Sequence, residues 1–291
     1  MRRPSPIYLD QVDIIDPERV PHILRRKVPR TAFSWYGGKY FYVNWILPLL
    51  PKCFHYCEPF SGAATILINR DPSPIETYND IDGEIVNFFL VLREQPDALL
   101  KALSLTPYSR EEYYKAVYKR DVTDSVERAR LFYIRVMQTF GAIESRASLG
   151  RWARATASRK GVSKAVACWL SGQDKLKEIS ERLIRVQIEN RPAIDVISSY
   201  DGPDTLFYCD PPYHFGSRTS LNVYRYEMSD EDHIKLADIL NKCKGKVAIS
   251  GYKSDLMNEW YGKWRRIDAK PKLSAFNGIK TLHQESLWMN Y

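Results

Sequence analysis

The chain has 291 residues, 44% of them hydrophobic, with 43 Lys or Arg against 35 Asp or Glu, so it can bury a sizeable core in one large domain or two. No apolar run reaches the roughly 18 residues that a membrane helix needs, and the opening Met-Arg-Arg-Pro has no apolar core behind it, so neither a membrane span nor a signal peptide is expected. The cysteines (Cys53, Cys57, Cys168, Cys209 and Cys243) are odd in number and lack paired C-x-x-C spacing, which leads us to expect reduced thiols in a cytoplasm.

In chain order, residues 1–30 are a Pro- and Arg-rich arm without clear periodicity. Phe33-Ser34-Trp35-Tyr36-Gly37-Gly38-Lys39 follows and could pass for half a phosphate-binding loop. A P-loop needs a further glycine upstream and a Ser or Thr after the lysine; Ala32, Phe33 and Tyr40 stand nearby instead, so an ATPase is not expected. Taken by itself, Trp35 suits an aromatic that anchors the amino-terminal arm on the core.

Residues 54–57 are a short apolar, β-prone run, and Glu58-Pro59-Phe60-Ser61-Gly62-Ala63-Ala64 is a turn of small residues opening a helix. Strand, small-residue turn and helix N-terminus form the usual opening of a nucleotide-binding α/β sheet, because small side chains let a ligand approach the backbone. A dinucleotide fold would carry G-x-G-x-x-G, and only Gly62 is present. A second apolar run, 75–78, leads to Asp80, about twenty residues past the turn, where such folds place an acid that meets ribose hydroxyls. An Asx-turn at a strand end is the alternative reading of Asp80. Cys53-x-His55-x-Cys57 superficially resembles metal ligands, but alternate residues of a strand share one face and no second half follows, so no metal is expected.

From 96 to 189 the pattern turns helical. Val126, Ala129, Tyr133, Val136, Met137 and Phe140 recur at helical spacing, as do Leu176, Ile179 and Leu183. Tyr113, Tyr114 and Tyr118 belong to another short helix and read as core or hinge packing. Between 101 and 190 there are 18 Lys or Arg against 10 Asp or Glu; this excess of eight equals the +8 of the whole chain, so the remainder is neutral. Within it, 145–170 carries Arg146, Arg151, Arg154, Arg159, Lys160 and Lys164 with no acid, interleaved with Gly and Ser. That stretch reads as a loop presenting a phosphate-contacting surface, with some side chains free to reach base edges. A solvated loop charged for solubility is the alternative.

After 185 the strand–helix alternation resumes, with a strand at 186–188, a helix from Pro192, and the apolar run 205–209. That run ends in Asp210-Pro211-Pro212-Tyr213, the most informative feature of the chain. The carboxylate accepts a proton or a hydrogen bond. The prolines lack an N–H, so their carbonyls are left free as acceptors at a rigid turn, and Tyr213 adds a flat face. Acceptors beside a ring suit a planar molecule with an amino group, such as a nucleobase. A strand end with a proline turn is the plain alternative. Ser229 with Asp232 is a capping signature, and further strands are expected at 246–250 and 285–289. The simplest architecture is an α/β sheet domain interrupted by a helical, basic insert.

Four motifs in order, namely Phe33 to Lys39, Tyr56 to Ala64, Tyr78-Asn79-Asp80-Ile81-Asp82 and Asp210 to Tyr213, resemble those of DNA adenine-N6 methyltransferases of the DNA adenine methylase type. Ile249-Ser250-Gly251-Tyr252 through Glu259-Trp260-Tyr261 adds to the likeness. The resemblance implies a Rossmann-like S-adenosylmethionine-dependent methyltransferase sheet with an inserted helical target-recognition domain. Its boundaries are a 1–30 arm, a catalytic domain of 31–95 and 186–291, and an insert of 96–185. In that reading Asp80 holds the cofactor's ribose, while Glu58 and the backbone from Phe60 through Ala64, Gly62 included, line its methionine part. Trp35 packs on the cofactor, Lys39 faces its carboxylate, and Asp210 borders both cofactor and target. Ala64 departs from the family, which commonly has glycine there.

The implied reaction follows from the chemistry of an aromatic amine, whose lone pair is delocalised into the ring. Hydrogen bonds to Asp210 and the Pro211 carbonyl would localise that pair for in-line attack on the methyl, and Tyr213 would stack on a base flipped from double-stranded DNA. Amine methylation needs no thiol adduct, so Cys209 reads as packing. Cytosine-N4 methylation, adenine methylation in RNA, and a non-catalytic DNA-binding relative remain alternative functions. Residues 131–141 occupy the place where GATC methylases carry an Asn-Arg-Tyr-Gly-like element and do not match it, so GATC specificity is not implied.

Overall fold

The computed structural model describes residues 30–119, 121–139, 152–155, 157–159, 161–214, 225–276 and 279–291. A short 3-10 turn (Lys39–Tyr42) and α1 (Val43–Ile46) precede β1 (His55–Glu58), α2 (Thr65–Asn69) and β2 (Ile75–Asn79). Five helices follow: α3 (Gly83–Glu94), α4 (Pro96–Ser104), α5 (Arg110–Tyr118), α6 (Ser125–Gln138) and, after the short strands β3 (Ser158–Arg159) and β4 (Val162–Ser163), α7 (Lys164–Leu183). Next come β5 (Val186–Glu189), α8 (Ala193–Tyr200), β6 (Thr205–Cys209), α9 (Asp230–Leu240), β7 (Lys246–Tyr252) and α10 (Asp255–Tyr261). The chain closes with β8 (Arg265–Asp268), the hairpin β9 (Lys272–Phe276) and β10 (Ile279–His283), and β11 (Glu285–Met289).

Seven strands form one sheet in the order β5-β2-β1-β6-β7-β11-β8. β5, β2, β1, β6 and β7 run parallel, and β11 is antiparallel to both β7 and β8. Every residue of β1 and β6 is buried, as expected of central parallel strands covered on both faces. The period of two sends Tyr56, Leu206 and Tyr208 into one core, and Cys57, Phe207 and Cys209 into the core on the opposite face. The chain leaves β1 for β2 on one side and later returns to pair β6 on the other. This is a topological switch point, where open α/β sheets bind ligands beyond the carboxyl ends of the strands.

The helical segment does not bury a core apart from the sheet's. Phe88 and Phe89 of α3 share one buried cluster with Phe132 and Tyr133 of α6 and Trp169 and Leu176 of α7. Phe88 stacks on Tyr133 at 5.6 Å, and Phe33 meets Phe88 and Phe132 edge-on. Burial of each such ring contributes about 1.5–3 kcal/mol. Arginines reinforce the docking. Arg182 of α7 makes a bidentate pair with Glu76 of β2 at 2.6 and 2.7 Å, and Arg128 of α6 reaches Glu84 of α3 at 2.6 Å. Part of the segment's basic excess is therefore directed inward, at acids of the sheet unit.

Two expectations need correction. Residues 164–170, read as part of a loop, are the opening turns of α7, where the Ser163 side chain caps the Val166 N–H at 3.2 Å. Of the tyrosines in α5 only Tyr113 belongs to the core; Tyr114 and Tyr118 are exposed. The sequence reading also passed over β8 and the β9–β10 hairpin. The capping box of Ser229 and Asp232 is present at the start of α9.

Candidate active site

Three carboxylates stand at the carboxyl ends of three adjacent parallel strands. Glu58 is the last residue of β1, Asp80 follows β2, and Asp210 follows β6. All three line one cleft of about 370 Å³, together with Trp35, Lys39, Phe60, Gly62 and Pro212. A cleft of that size suits a small organic ligand. It is also lined by Arg225 to Met228 and by the start of α8, Pro192 to Ile194.

The turn after β1 is tied down by polar contacts that the sequence reading did not anticipate. Ser61 N–H donates to the Asn79 carbonyl at 2.9 Å, and the Asn79 side-chain amide donates to Pro59 O and Arg191 O at 2.9 and 3.0 Å. Gly62 N–H donates to Asp80 Oδ2 at 2.9 Å, while Asp82 N–H donates to Asp80 Oδ1 at the same distance. Asp80 is thus an Asx-type turn residue and a wall of the cleft at once. Burial pushes its carboxyl up to about 6 despite these two N–H donors.

Gly62 has φ of +48°, and a Cβ there would meet Trp35 Cδ1 and Nε1 at 3.2 Å. Trp35 is in turn braced edge-on by Phe33 at 5.7 Å and packs near Phe132 at 6.2 Å. Both readings of Trp35 are therefore compatible with its position: it anchors on the core and also walls the cleft. Ala64 adopts φ 53°, ψ 29°, the left-handed conformation, as the N-cap of α2. That explains why glycine would fit there, because a Cβ costs roughly 1–2 kcal/mol in this region. The buried methyl returns about 0.8 kcal/mol. We expect Ala64→Gly to leave stability unchanged or raised by up to about 1 kcal/mol, where the same change inside a right-handed helix costs about that much. Thermal melts of the two proteins test this; a clear loss would mean that the methyl's packing outweighs the backbone strain.

Glu58 is buried and accepts from Tyr56 Oη at 2.7 Å. Burial drives its carboxyl up to about 8, against the opposing pull of the Tyr56 hydroxyl and the Leu67 N–H. Lys39, implied to face a cofactor carboxylate, is otherwise engaged. Its Nζ lies 2.7 Å from Asp210 Oδ1, donates to Gly37 O at 2.8 Å, and stands 3.8 Å from Glu285 Oε1. Burial pulls the ammonium down, but Asp210 and Glu285 outweigh it and keep Lys39 charged. Burial likewise raises the Asp210 carboxyl more than Lys39 lowers it.

Tyr213 also departs from the expected open stacking face. It is buried, its hydroxyl donates to Glu285, its ring packs edge-on against Tyr252 at 4.8 Å, and Lys39 Nζ sits 4.9 Å from the ring centroid. In this arrangement the tyrosine anchors the turn. Pro211 and Tyr213 border a small adjoining cavity shared with His214, His233 and Trp260. Glu285 was missed because nothing near it in sequence marks it. Of the basic residues singled out, Arg154 and Lys164 are exposed and the Arg159 backbone lies in β3. Arg146, Arg151 and Lys160, like the 1–29 arm, lie outside the described residues. Among the described residues no group of three or more His, Cys, Asp or Glu could hold a metal ion, and no helix is long and apolar enough to cross a membrane.

A mostly parallel sheet with a cleft at its switch point, and an Asp-Pro-Pro-Tyr turn opening into that cleft, fits the fold class of α/β methyltransferases. Residues 35–274 match the profile of the D12 class N6 adenine-specific DNA methyltransferase family. The chain belongs to that family, whose activity is site-specific methylation of adenine in DNA with a methyl donor. It is similar to a DNA adenine methylase of Vibrio cholerae, 28% identical over 241 residues, 77% of this chain and 80% of the relative. A Type II methyltransferase of Lactococcus lactis subsp. cremoris is 25% identical over 254 residues, 80% of this chain and 84% of the relative. A DNA N-6-adenine-methyltransferase of Escherichia phage P1 is 24% identical over 242 residues, 80% of this chain but 31% of that longer protein.

Proposed function

We propose that the methyl donor is S-adenosylmethionine, bound in the cleft beyond β1 and β2, and that the acceptor is the N6 amine of an adenine flipped out of double-stranded DNA. The observation that carries this reading is the continuity of the site: Asp210 and Pro212 line the same cleft as Glu58, Gly62 and Asp80. The chemistry of the cleft fits the donor. Glu58, Asp80, Asp82, Asp210, Glu227 and Asp232 line it against only Lys39 and Arg225 among the described residues. Carboxylates on this wall favour an arriving cation in their ionised form, and the sulfonium is one.

S-adenosylmethionine supplies an electrophilic methyl when bound. The residues of this chain do the rest. Asp80 presents its remaining lone pairs to the ribose, Trp35 packs on the ligand, and Phe60 to Gly62 allow close approach of the backbone. Lys39 is assigned to Asp210, which it meets at 2.7 Å, rather than to a cofactor carboxylate. Asp210 and the Pro211 carbonyl accept hydrogen bonds from the adenine amine, and Pro212 and Tyr213 fix the turn that aims them. Flipping the base costs a few kcal/mol, which DNA contacts must offset. Those contacts are assigned to the 96–185 segment, on the support of its charge excess and of the exposed Arg154 and Lys164, with Arg146, Arg151, Arg159 and Lys160 in the same role.

The decisive experiment incubates the purified protein with unmethylated duplex DNA, or with RNA, and methyl-labelled S-adenosylmethionine. Nucleoside analysis is expected to find label in N6-methyldeoxyadenosine from DNA alone. Label in N4-methylcytosine or in RNA, or no transfer at all, would overturn the proposal.

A further inference from the structure

Methyl transfer moves a charge as well as a group. As the N6–C bond forms and the C–S bond breaks, the bond's electron pair passes to sulfur and one positive charge passes from sulfur to N6; a proton then leaves the amine. A negative field at the N6 end stabilises that passage, more so in a buried site. Asp210 is the carboxylate at that end, yet Lys39 sits 2.7 Å away and by itself would cancel its charge. A second carboxylate belongs to the same cluster. Glu285, its side chain 3% exposed, lies 3.8 Å from the same ammonium and accepts the Tyr213 hydroxyl. With both carboxyls ionised, two carboxylates and one ammonium leave a net charge of minus one behind the acceptor site.

We propose that Glu285, the first residue of β11, is a positioning residue for methyl transfer: it counterbalances Lys39 so that the cluster at Asp210 stays net negative, and it anchors the turn through Tyr213. This rests on the reading that Asp210 meets the acceptor amine. The fold gives the carboxylate its place. β11 runs antiparallel to β7, with Glu285 opposite Tyr252, which brings its side chain to the carboxyl edge where Asp210 stands. Among the described residues, the titratable groups acting on it or feeling its charge are Lys39, Asp210, Tyr42, Tyr208, Tyr213 and Tyr252, and Lys39 is the one cation of that set. A core made only for stability gains little from a buried carboxylate in this position, since a hydrophobic side chain would avoid its desolvation.

Glu285→Gln tests the idea, because glutamine keeps the size and an acceptor for Tyr213 but removes the charge. Single-turnover methylation is expected to fall about tenfold or more, with cofactor and DNA affinities within about twofold. Burial raises the Glu285 carboxyl to about 7, so the parent's rate should climb with pH through that value and the variant's should not. A second readout needs no turnover. A carboxyl raised on folding withdraws stability as pH rises from its unfolded to its folded pKa, so the melting temperature of free Glu285→Gln should gain on the parent between pH about 4.5 and about 7 and stay level above it. Should Glu285→Gln fail to fold, Tyr213→Phe decides. Losing the hydroxyl donor makes Glu285 harder to ionise, so the acid limb should move up and activity should recover at alkaline pH. A parent-like rate and acid limb in either folded variant, beside an inactive Asp210→Ala, overturns the inference. An active Asp210→Ala overturns the assignment of the acceptor site instead.

Discussion

Asp210→Ala is expected to cut the single-turnover rate of methylation by a factor on the order of a hundred or more, with the fold intact and cofactor affinity little changed. The carboxylate sits at a strand end, partly open to the cleft at 18% side-chain exposure, so no core packing depends on it. Its removal takes away the acceptor that draws the amine's lone pair out of the ring. Losing one preorganised electrostatic partner typically costs about 10²–10³ in rate, or roughly 2.7–4 kcal/mol of transition-state stabilisation. Lys39 keeps Gly37 O at 2.8 Å and Glu285 at 3.8 Å, so its charge is not stranded. Asp210→Asn should lose nearly as much, because an amide keeps the shape without the negative charge. Rapid-quench methylation alongside thermal melts measures both parts, and a variant that methylates DNA at the parent rate would put the active site elsewhere.

What could be read from the sequence follows how local each cause is. β1, β2 and β6 announce themselves as short apolar runs, and the acids that end them are adjacent in sequence, so Glu58, Asp80 and Asp210 are legible one by one. Their convergence depends on the strand order, which the motif order suggests but periodicity alone cannot supply. Glu285 is illegible because its partner Tyr213 lies 72 residues away and no local pattern marks a carboxylate at the start of a last strand. Lys39 is legible as a residue and not as a contact: the Gly-Gly-Lys turn points to a ligand, whereas folding gives the ammonium the buried Glu285 and the half-buried Asp210. The start of α7 was hidden by charge. Arg159, Lys160 and Lys164 drew attention to a basic loop, while Ala165, Val166, Trp169 and the Ser163 cap carry the helical signal. Ala64 shows the reverse case, where a one-residue departure from the family pattern becomes intelligible once its φ of 53° is seen.

Lys39→Met separates a structural counter-ion from a cofactor contact, and its expected effect on stability is the largest single one in the site. Methionine preserves the length and apolar stem of the lysine but leaves Asp210 and Glu285 facing each other without a cation among the described residues. Breaking a buried pair by removing one partner costs about 3–5 kcal/mol, because the remaining charge is uncompensated. The sign of the pH dependence follows from the carboxyls. Burial already raises both, Glu285 to about 7, and losing Lys39 raises them further. Groups raised on folding withdraw stability as pH climbs toward their folded values, so the deficit relative to the parent should be larger at pH about 8 than at pH about 5, where the carboxylates have taken up protons. Urea unfolding of both proteins at the two pH values measures it. A loss that does not vary with pH would assign the lysine to packing. A variant with parent stability but weakened cofactor binding would restore the direct contact with a cofactor carboxylate that the Lys39–Asp210 distance of 2.7 Å argues against.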